Sequence, residues 1–195
     1  MCIAACLGCA HLPAIRSTAM KVSPWPASAP ANVRLMVVGQ DPTLTSGRTV
    51  PVAMQMNQPR SRLAHYVFDH VMAPLGVRGD EVYVTDLVRC WFRSPPRTLG
   101  VLAPAAANCV RHLEDEIAAL RPAAILTLGN PVFEFLKRRW NLMAGPMRSV
   151  FAIPIHARVR SHSFIMIPCV HLQTYQTKPL YRRGQDARLR RVTIP

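Results

Sequence analysis

The sequence predicts an α/β protein: a three-layer α/β/α sandwich with helices on both faces of a central, mostly parallel, four-stranded sheet. Four short apolar runs, at 33–38, 81–85, 123–128 and 164–167, predict the strands. The runs are apolar almost throughout, which is typical of strands buried on both faces of a sheet. Helical patterns separate them, and a length of 195 residues suits one such domain. We therefore expect a single domain over residues 1–195.

The remaining segments follow from local signals taken in chain order. Residues 22–31 contain three prolines and predict a Pro-rich loop before the first strand. Residues 151–159 are compatible with an extra strand or a hairpin. Proline is tolerated in the first turn of a helix, where its missing N–H has no intrahelical partner to lose. Helices that begin close to a proline are accordingly predicted at 59–73, 104–120, 131–140 and 178–191.

Charge and hydropathy limit the kind of protein. Lys and Arg number 24 against 10 Asp and Glu, a formal charge of +14. Mean hydropathy is slightly positive at +0.11, which excludes a disordered basic tail as the main body. No apolar run approaches the roughly 18–20 residues that cross a bilayer, and Met1–Ala10 lacks the basic start of a signal peptide. We expect a cytoplasmic protein that binds a polyanion, most simply nucleic acid; an Arg-rich solvated surface is the alternative.

The cysteines have spacings that favour a metal centre. Cys6 and Cys9 form a C-x-x-C pair, and Cys90 and Cys109 follow with eighteen residues between them. Two thiolates at this spacing chelate one centre, which is used by both zinc sites and iron–sulfur clusters. A redox pair is the main alternative for C-x-x-C alone. Cys169 lies in an apolar run and is predicted to be a core residue.

Three polar side chains follow predicted strands. Asp41 comes after the first strand, Asp86 after the second and His171 after the fourth. Ligands of open α/β sheets bind beyond the carboxyl ends of the strands. Each residue alone has a structural interpretation, since Asp before Pro is a common turn former. Their predicted convergence on one edge favours a functional site.

These residues resemble the uracil-DNA glycosylase superfamily. Gly39-Gln40-Asp41-Pro42 is similar to the water-activating motif of the family 1 enzymes. The four spaced cysteines and the segments 82–90, 113–117 and 127–129 resemble the iron–sulfur-containing family 4. His171, with Pro179 eight residues later, resembles the C-terminal His motif of the superfamily.

The resemblance implies a DNA glycosylase that flips out uracil or a related lesion base and hydrolyses its N-glycosidic bond, initiating base excision repair. Asp41 would orient water and stabilise the sugar cation, and His171 would donate to the departing base. Gln40 would contribute backbone contacts, and Met56, or else Met54, would stack on the base. The resemblance also favours a [4Fe-4S] cluster over zinc on Cys6, Cys9, Cys90 and Cys109. We expect a monomer acting on single- or double-stranded DNA.

Two positions depart from the family pattern. Asp86 stands where the family reads the uracil edge with Asn, and Leu172 replaces the Pro that follows the motif His. Ionised, Asp86 only accepts hydrogen bonds and suits an amino-bearing base such as cytosine; protonated, it mimics the amide. These departures favour one alternative, a non-catalytic iron–sulfur DNA-binding protein of the same fold. A zinc-stabilised RNA-binding domain is a third, weaker alternative. Candidate phosphate contacts are Arg60, Arg62, Lys178, Arg182 and Arg183.

Overall fold

The computed structural model describes residues 7–18, 21–43, 50–58 and 60–195. In chain order the strands are β1 (Ile15–Ser17), β2 (Leu35–Gly39), β3 (Val82–Asp86), β4 (Trp91–Phe92), β5 (Ala124–Leu128), β6 (Ile155–Val159) and β7 (His162–Cys169). The helices are α1 (Arg62–Val67), α2 (Leu99–Leu120), α3 (Asn130–Arg139), α4 (Met147–Val150), α5 (Leu172–Thr177) and α6 (Pro179–Leu189).

Five of the strands form one sheet in the order β3-β2-β5-β7-β6. Four of them run parallel and coincide with the four predicted strands, while β6 pairs antiparallel with β7 at the edge. The predicted α/β class with a mostly parallel sheet is confirmed. The sheet has five strands rather than four, because residues 155–159 extend the hydrogen bonding of β7.

The parallel register aligns the carboxyl ends of the strands. Gly39 at the end of β2 pairs with Asp86 at the end of β3, and Leu128 of β5 pairs with Cys169 of β7. Residues that follow these strands therefore emerge at one edge of the sheet. The strands β2, β3 and β5 are buried at every position, so the polar groups at this edge rest on a close-packed apolar base.

Two helices differ from their predicted bounds. The segment predicted at 59–73 is α-helical only over Arg62–Val67, and it continues as a π-helical turn, Phe68–Met72, and a 3-10 turn, Ala73–Leu75. The helix predicted to begin at Pro104 begins at Leu99 and contains that proline. Pro104 deprives the carbonyl of Gly100 of an intrahelical partner. Since Gly100 is exposed, water can satisfy this carbonyl, and the helix continues through the proline.

A small second sheet and the helix packing complete the fold. Strands β1 and β4 pair antiparallel, which ties the amino-terminal segment to the chain just after β3. Helix α2 packs against α3, while α6 packs against α5 and against the 3-10 turn that follows α1. Residues 22–31 form the predicted loop, in which Trp25 exchanges two backbone hydrogen bonds with Val84 of β3. None of the helices in the described ranges is both long and apolar enough to cross a membrane.

Candidate active site

A pocket of about 330 Å³ lies at the carboxyl edge of the sheet. Its volume is at the lower end of the range that small ligands occupy. Its walls include all three polar residues predicted to converge, Asp41, Asp86 and His171, together with Gln40. The carboxyl ends of β2, β3 and β7 thus bring together side chains that are up to 130 positions apart in the sequence.

A larger and more open cavity, about 670 Å³, lies near the start of β5 at the opposite edge. Arg121, Trp140 and Arg158 are among its lining residues, and no acidic side chain lines it. It therefore lacks the carboxyl groups of the first pocket, and the strand-end pocket is the candidate active site.

Asp41 is held in one orientation by its neighbours in the loop after β2. One carboxylate oxygen accepts a hydrogen bond from Gln40 Nε2 at 3.1 Å, and the other accepts from the backbone N–H of Thr43 at 3.0 Å. Gln40 Nε2 also donates to the carbonyl of Pro96 at 2.7 Å, which anchors the amide. Burial raises the pKa of Asp41, and the Gln40 and Thr43 hydrogen bonds oppose that shift by stabilising the ionised form.

His171 immediately precedes helix α5 and is oriented by it. Its Nδ1 accepts the backbone N–H of Gln173 at 3.3 Å, in the manner of a helix N-cap. With Nδ1 accepting, a neutral imidazole carries its proton on Nε2. The side chain is open to the pocket, but the surrounding protein desolvates the charged form and lowers the pKa of His171. The pocket therefore has a neutral N–H donor at this position.

Asp86 is the last residue of β3 and is only 2% exposed. Its Oδ2 is buried and has no hydrogen-bond partner in the described part of the chain. Burial, and then the negative charge of Asp41, raise its pKa to about 7, against a smaller opposing effect of Arg89. The two carboxyl groups of the pocket thus differ: Asp41 has donors that favour its ionised form, and Asp86 has none on its buried oxygen.

A buried ion pair beneath the site was not predicted from the sequence. Arg89 Nη2 contacts both carboxylate oxygens of Glu116 at 2.6 Å, and Arg89 Nε donates to the backbone carbonyl of Asp86 at 2.9 Å. Tyr83 and Thr85 of β3 also donate to Glu116, at 3.0 and 3.3 Å. The pair fixes the chain after β3 against α2. An arginine within the apolar run before Cys90 was the signal in the sequence that could have indicated it.

The two methionines considered as base-stacking residues occupy different places. Met54 lines the pocket, with its Cε close to Gly39, whereas Met56 is buried in the core away from the lining. Met54 has a positive φ of 50°, an uncommon backbone conformation for a non-glycine residue. This turn directs Met54 inward, so Met54 and not Met56 has the position expected of a base-covering side chain.

Only one of the predicted phosphate-binding residues lines the pocket. Arg62, the first residue of α1, lines the pocket. The others are exposed side chains outside its lining: Arg60, Lys178, Arg182 and Arg183. Leu172, the departure from the family pattern, lines the pocket beside His171.

Three of the four predicted metal ligands come together away from the pocket. The sulfurs of Cys9, Cys90 and Cys109 lie within 4.8 Å of one another and are buried, and Cys9 and Cys109 are 3.9 Å apart. Cys6, the fourth predicted ligand, lies outside the described residues. Hydrogen bonds from Cys109 and Cys9, and the Lys21 ammonium, lower the pKa of Cys90 to about 3, which favours a thiolate there.

The donor set fits a metal centre. All three cysteines are free thiols, they come from three separate segments, and thiolates are the ligands that zinc and iron–sulfur clusters share. A tetrahedral zinc with Zn–S bonds of about 2.3 Å places its sulfurs about 3.8 Å apart. The 3.9 Å separation of Cys9 and Cys109 is close to this value. Cys169 is buried outside this group, as expected for a core residue.

The architecture and the pocket define an α/β protein whose ligand site is built by loops at the carboxyl edge of a mostly parallel sheet. The family model described as the Uracil DNA glycosylase superfamily matches residues 26–191, and the chain belongs to this superfamily. Membership supports a glycosylase function of the uracil-DNA type and DNA as the partner. The comparison with curated proteins found no match.

Proposed function

We propose that this chain is a monomeric, single-domain DNA glycosylase that excises uracil or a related base by hydrolysis and leaves an abasic site. The observation that carries the proposal is the convergence of Asp41, Asp86 and His171 on one pocket at the strand ends. Membership of the superfamily supports it. A base inside a duplex is inaccessible, so the nucleotide has to turn out of the stack into the pocket.

The two carboxyl groups have separate roles in this proposal. Their mutual repulsion disfavours a doubly ionised pocket, and their different environments assign the charge. Asp41, with donors from Gln40 and Thr43, is the ionised group. It stabilises the positive charge that develops on the sugar and accepts a proton from the attacking water. Asp86, buried and without such donors, faces the base.

His171 stabilises the departing base. Cleavage moves electrons from the sugar to the base, so negative charge grows on the base oxygens. The Nε2–H of His171, oriented by the Gln173 backbone contact, is a neutral donor that strengthens its bond as this charge develops. A pre-oriented donor of this kind is worth about 3–4 kcal/mol in a transition state.

The other lining residues hold the nucleotide. Met54 covers one face of the base through its polarizable thioether, and the backbone of Gln40 contacts the base edge. Arg62 and the exposed cations near the pocket mouth bind phosphates on either side of the flipped nucleotide. These contacts add affinity for DNA but do not determine which base is recognised.

The test is an assay for base release on single- and double-stranded oligonucleotides that contain uracil, hypoxanthine, xanthine or an alkylated base, followed by alkaline cleavage at abasic sites. We expect wild-type protein to act on at least one of these substrates. Asp41→Asn and His171→Ala should each reduce the single-turnover rate about 10²–10³-fold while oligonucleotide binding is retained.

Asp80→Asn is the matched control for Asp41→Asn, since Asp80 is an exposed carboxylate that precedes β3 and pairs with Arg78. Its rate should equal that of the wild type. If no base in the panel is released by the wild type or by any variant in the experiments proposed for this chain, the glycosylase proposal fails.

We also propose that Cys6, Cys9, Cys90 and Cys109 hold a [4Fe-4S] cluster. The resemblance of the cysteine spacing to family 4 supports it, as do the three buried sulfurs. When bound, the cluster would provide a structural link among the amino-terminal segment, the loop after β3 and helix α2. The 3.9 Å sulfur separation favours the second candidate, a single zinc.

Metal analysis separates these two candidates. An iron–sulfur cluster gives a visible absorbance band with stoichiometric iron and sulfide, whereas zinc is colourless. Cys109→Ser should lose the metal, and Cys169→Ser, a buried cysteine outside the group, should retain it. A Cys109→Ser protein with full metal content would contradict either site.

The departures from the family pattern favour a second candidate function, a DNA-binding protein of the same fold without turnover. Asp86 and Leu172 both line the pocket and both differ from the family residues. This candidate predicts tight binding to uracil-containing DNA, no base release, and no change in binding for Asp41→Asn. The base-release assay therefore decides between the two.

A further inference from the structure

Among the described residues, Asp86 has no hydrogen-bond partner for its buried oxygen. Its Oδ2 is buried and unpaired among the described residues, and the residue lines the pocket. Its Oδ1 lies 2.2 Å from the position that a Cβ on Gly39 would occupy, so the carboxyl group rests over the backbone of Gly39. Because Asp86 lines the pocket, a ligand that occupies the pocket can supply a partner for this carboxyl group.

No cation compensates Asp86 in the described structure. The charged and titratable groups around it come from two helices and three connecting segments: Arg62 of α1, Glu116 of α2, Asp41 after β2, Arg89 after β3 and His171 before α5. Arg89 is neutralised by both oxygens of Glu116 at 2.6 Å and reaches only the backbone of Asp86. Asp41 is repulsive. Together with burial this raises the pKa of Asp86 to about 7.

A protonated carboxyl group presents one donor and one acceptor side by side. The edge of cytosine carries a ring nitrogen, N3, that accepts, next to an exocyclic amine that donates. The two edges match, with the carboxyl O–H on N3 and the carbonyl oxygen on the amine. Uracil pairs with the same group in the reverse sense: its N3–H donates to the carbonyl oxygen, and its O4 accepts from the carboxyl O–H. Binding alone therefore admits both bases.

The chemistry of departure separates the two bases. Uracil leaves with a negative charge, which His171 stabilises. Cytosine leaves as a neutral molecule only if N3 gains a proton. An amide cannot give up a proton at neutral pH, whereas a carboxylic acid can.

We propose that Asp86 allows the site to accept a cytosine-type edge, that of cytosine or a 5-substituted cytosine, and protonates N3 as the glycosidic bond breaks. This inference rests on the proposed glycosylase function. The C1′–N1 bond breaks with its electron pair going to N1, and the water oxygen bonds to C1′. The water proton goes to Asp41, and the proton of Asp86 goes to N3. Neutral cytosine departs from an abasic sugar, and proton exchange with solvent restores both carboxyl groups.

The test compares single-turnover release of cytosine, 5-methylcytosine and uracil from single-stranded oligonucleotides, which removes the cost of opening a base pair. Wild-type protein should release the cytosine-type bases. Between about pH 5.5 and 8.5 the rate should be flat below about 7 and fall about tenfold per pH unit above it, because Asp86 loses its proton. Uracil release by Asp86→Asn should not show this fall, because the amide does not titrate in this range.

Asp86→Asn is the decisive variant. It should reduce release of cytosine at least about a hundredfold and retain or increase release of uracil, since an amide pairs with uracil but supplies no proton. Asp80→Asn is the control for the same chemical change on an exposed carboxylate and should behave as wild type. If Asp86→Asn does not fold, the pH dependence of cytosine release by the wild-type protein decides the question alone.

Each of the other outcomes contradicts either this inference or the proposed function. Release of uracil without release of cytosine by the wild type overturns this inference and leaves the proposed function intact. Equal release of cytosine by wild type and Asp86→Asn, or a rate on cytosine that does not change with pH, overturns the proton transfer by Asp86. Release of none of these three bases by either protein overturns this inference, and the proposed function fails with it only if hypoxanthine, xanthine and alkylated bases are not released either.

Discussion

At the scale of single residues, the site depends on one glycine. A Cβ placed on Gly39 would lie 2.2 Å from Asp86 Oδ1 and 2.5 Å from Met54 Cε. Both contacts are far inside van der Waals distance, so any other residue at position 39 has to displace both side chains that we assign to the base. Glycine is needed at position 39 because the side chains of Asp86 and Met54 fill the space that a Cβ would occupy.

We predict that Gly39→Ala lowers the rate of base release and destabilises the protein by about 1–3 kcal/mol, the usual cost of overpacking. Gly100→Ala is the control, because a Cβ at Gly100, in the first turn of α2, meets nothing within 4 Å. That variant should be stabilised by about 0.5–1 kcal/mol, since alanine is favoured over glycine in a helix. Chemical denaturation and the release assay measure both effects. Full activity in Gly39→Ala would contradict the assigned positions of Asp86 and Met54.

Asp86 should also leave a signature in the pH dependence of folding. Its pKa rises from 3.8 to about 7 on folding, so the unfolded chain ionises first and stability falls as pH rises between these values. Asp86→Asn removes this loss. Relative to wild type, the variant should gain about 3 kcal/mol in free energy of unfolding between about pH 5 and pH 8.

Urea denaturation at the two pH values measures this difference. Asp80→Asn is again the control, but its effect on the pH dependence of stability has the opposite sign. Arg78 holds the pKa of Asp80 below its usual value, so the ionised form of Asp80 favours the folded state. An equal pH dependence of stability in wild type and Asp86→Asn would show that Asp86 is ionised in the folded protein at neutral pH.

At the scale of elements, helix α2 supports both the pocket and the cysteine group. It supplies Cys109 to the three sulfurs and Glu116 to the ion pair with Arg89. These residues are seven apart, about two helical turns, and so lie on the same face of the helix. The chain after β3 is therefore held to one face of α2 at both Arg89 and Cys90.

We predict that Glu116→Gln destabilises the protein by about 3–5 kcal/mol, because it leaves the buried Arg89 charge uncompensated. Glu114→Gln, two residues earlier on the same helix, changes a pair with the half-exposed Arg139 and should cost less than about 1 kcal/mol. Thermal or urea unfolding of the two variants measures the contrast. Equal costs would show that the Arg89 pair is solvated.

At the scale of the whole molecule, the formal charge of +14 acts through the positions of the cations. Arg62 lines the candidate active site, while Arg121, the residue at the end of α2, lines the cavity at the opposite edge. Both are arginines, but only the first is placed to bind a phosphate of a strand whose base occupies the pocket. The fold thus places some of the cations at the candidate active site and others at the opposite edge of the sheet.

We expect affinity for DNA to fall steeply with salt, because bound phosphates release counterions. Arg62→Ala should reduce the slope of log K against log salt by about 1. Arg121→Ala should leave it unchanged. Fluorescence anisotropy titrations at several salt concentrations measure the slopes. Equal slopes for Arg62→Ala and wild type would place the DNA elsewhere on the surface.

Part of the fold and of the site could be predicted without coordinates. Continuous apolar runs located all four parallel strands, since burial on both faces leaves that pattern. The same pattern could not locate the start of α2, because proline is compatible with both a first turn and an exposed interior position. From the sequence, Met54 ranks second to Met56 as the candidate for stacking on the base. Its inward direction depends on a backbone turn with positive φ that no pattern of residue types specified.

The sequence by itself determined the class of fold, the spaced cysteines and the three polar residues that follow β2, β3 and β7. Strand-end residues are predictable because parallel strands end at a common edge. Only the tertiary structure decided how they differ: Asp41 has two donors, His171 has a backbone contact that leaves Nε2–H free for the pocket, and Asp86 has no partner for its buried oxygen in the described part of the chain. Protonation depends on desolvation and on neighbouring charges, which arise only when distant segments pack together.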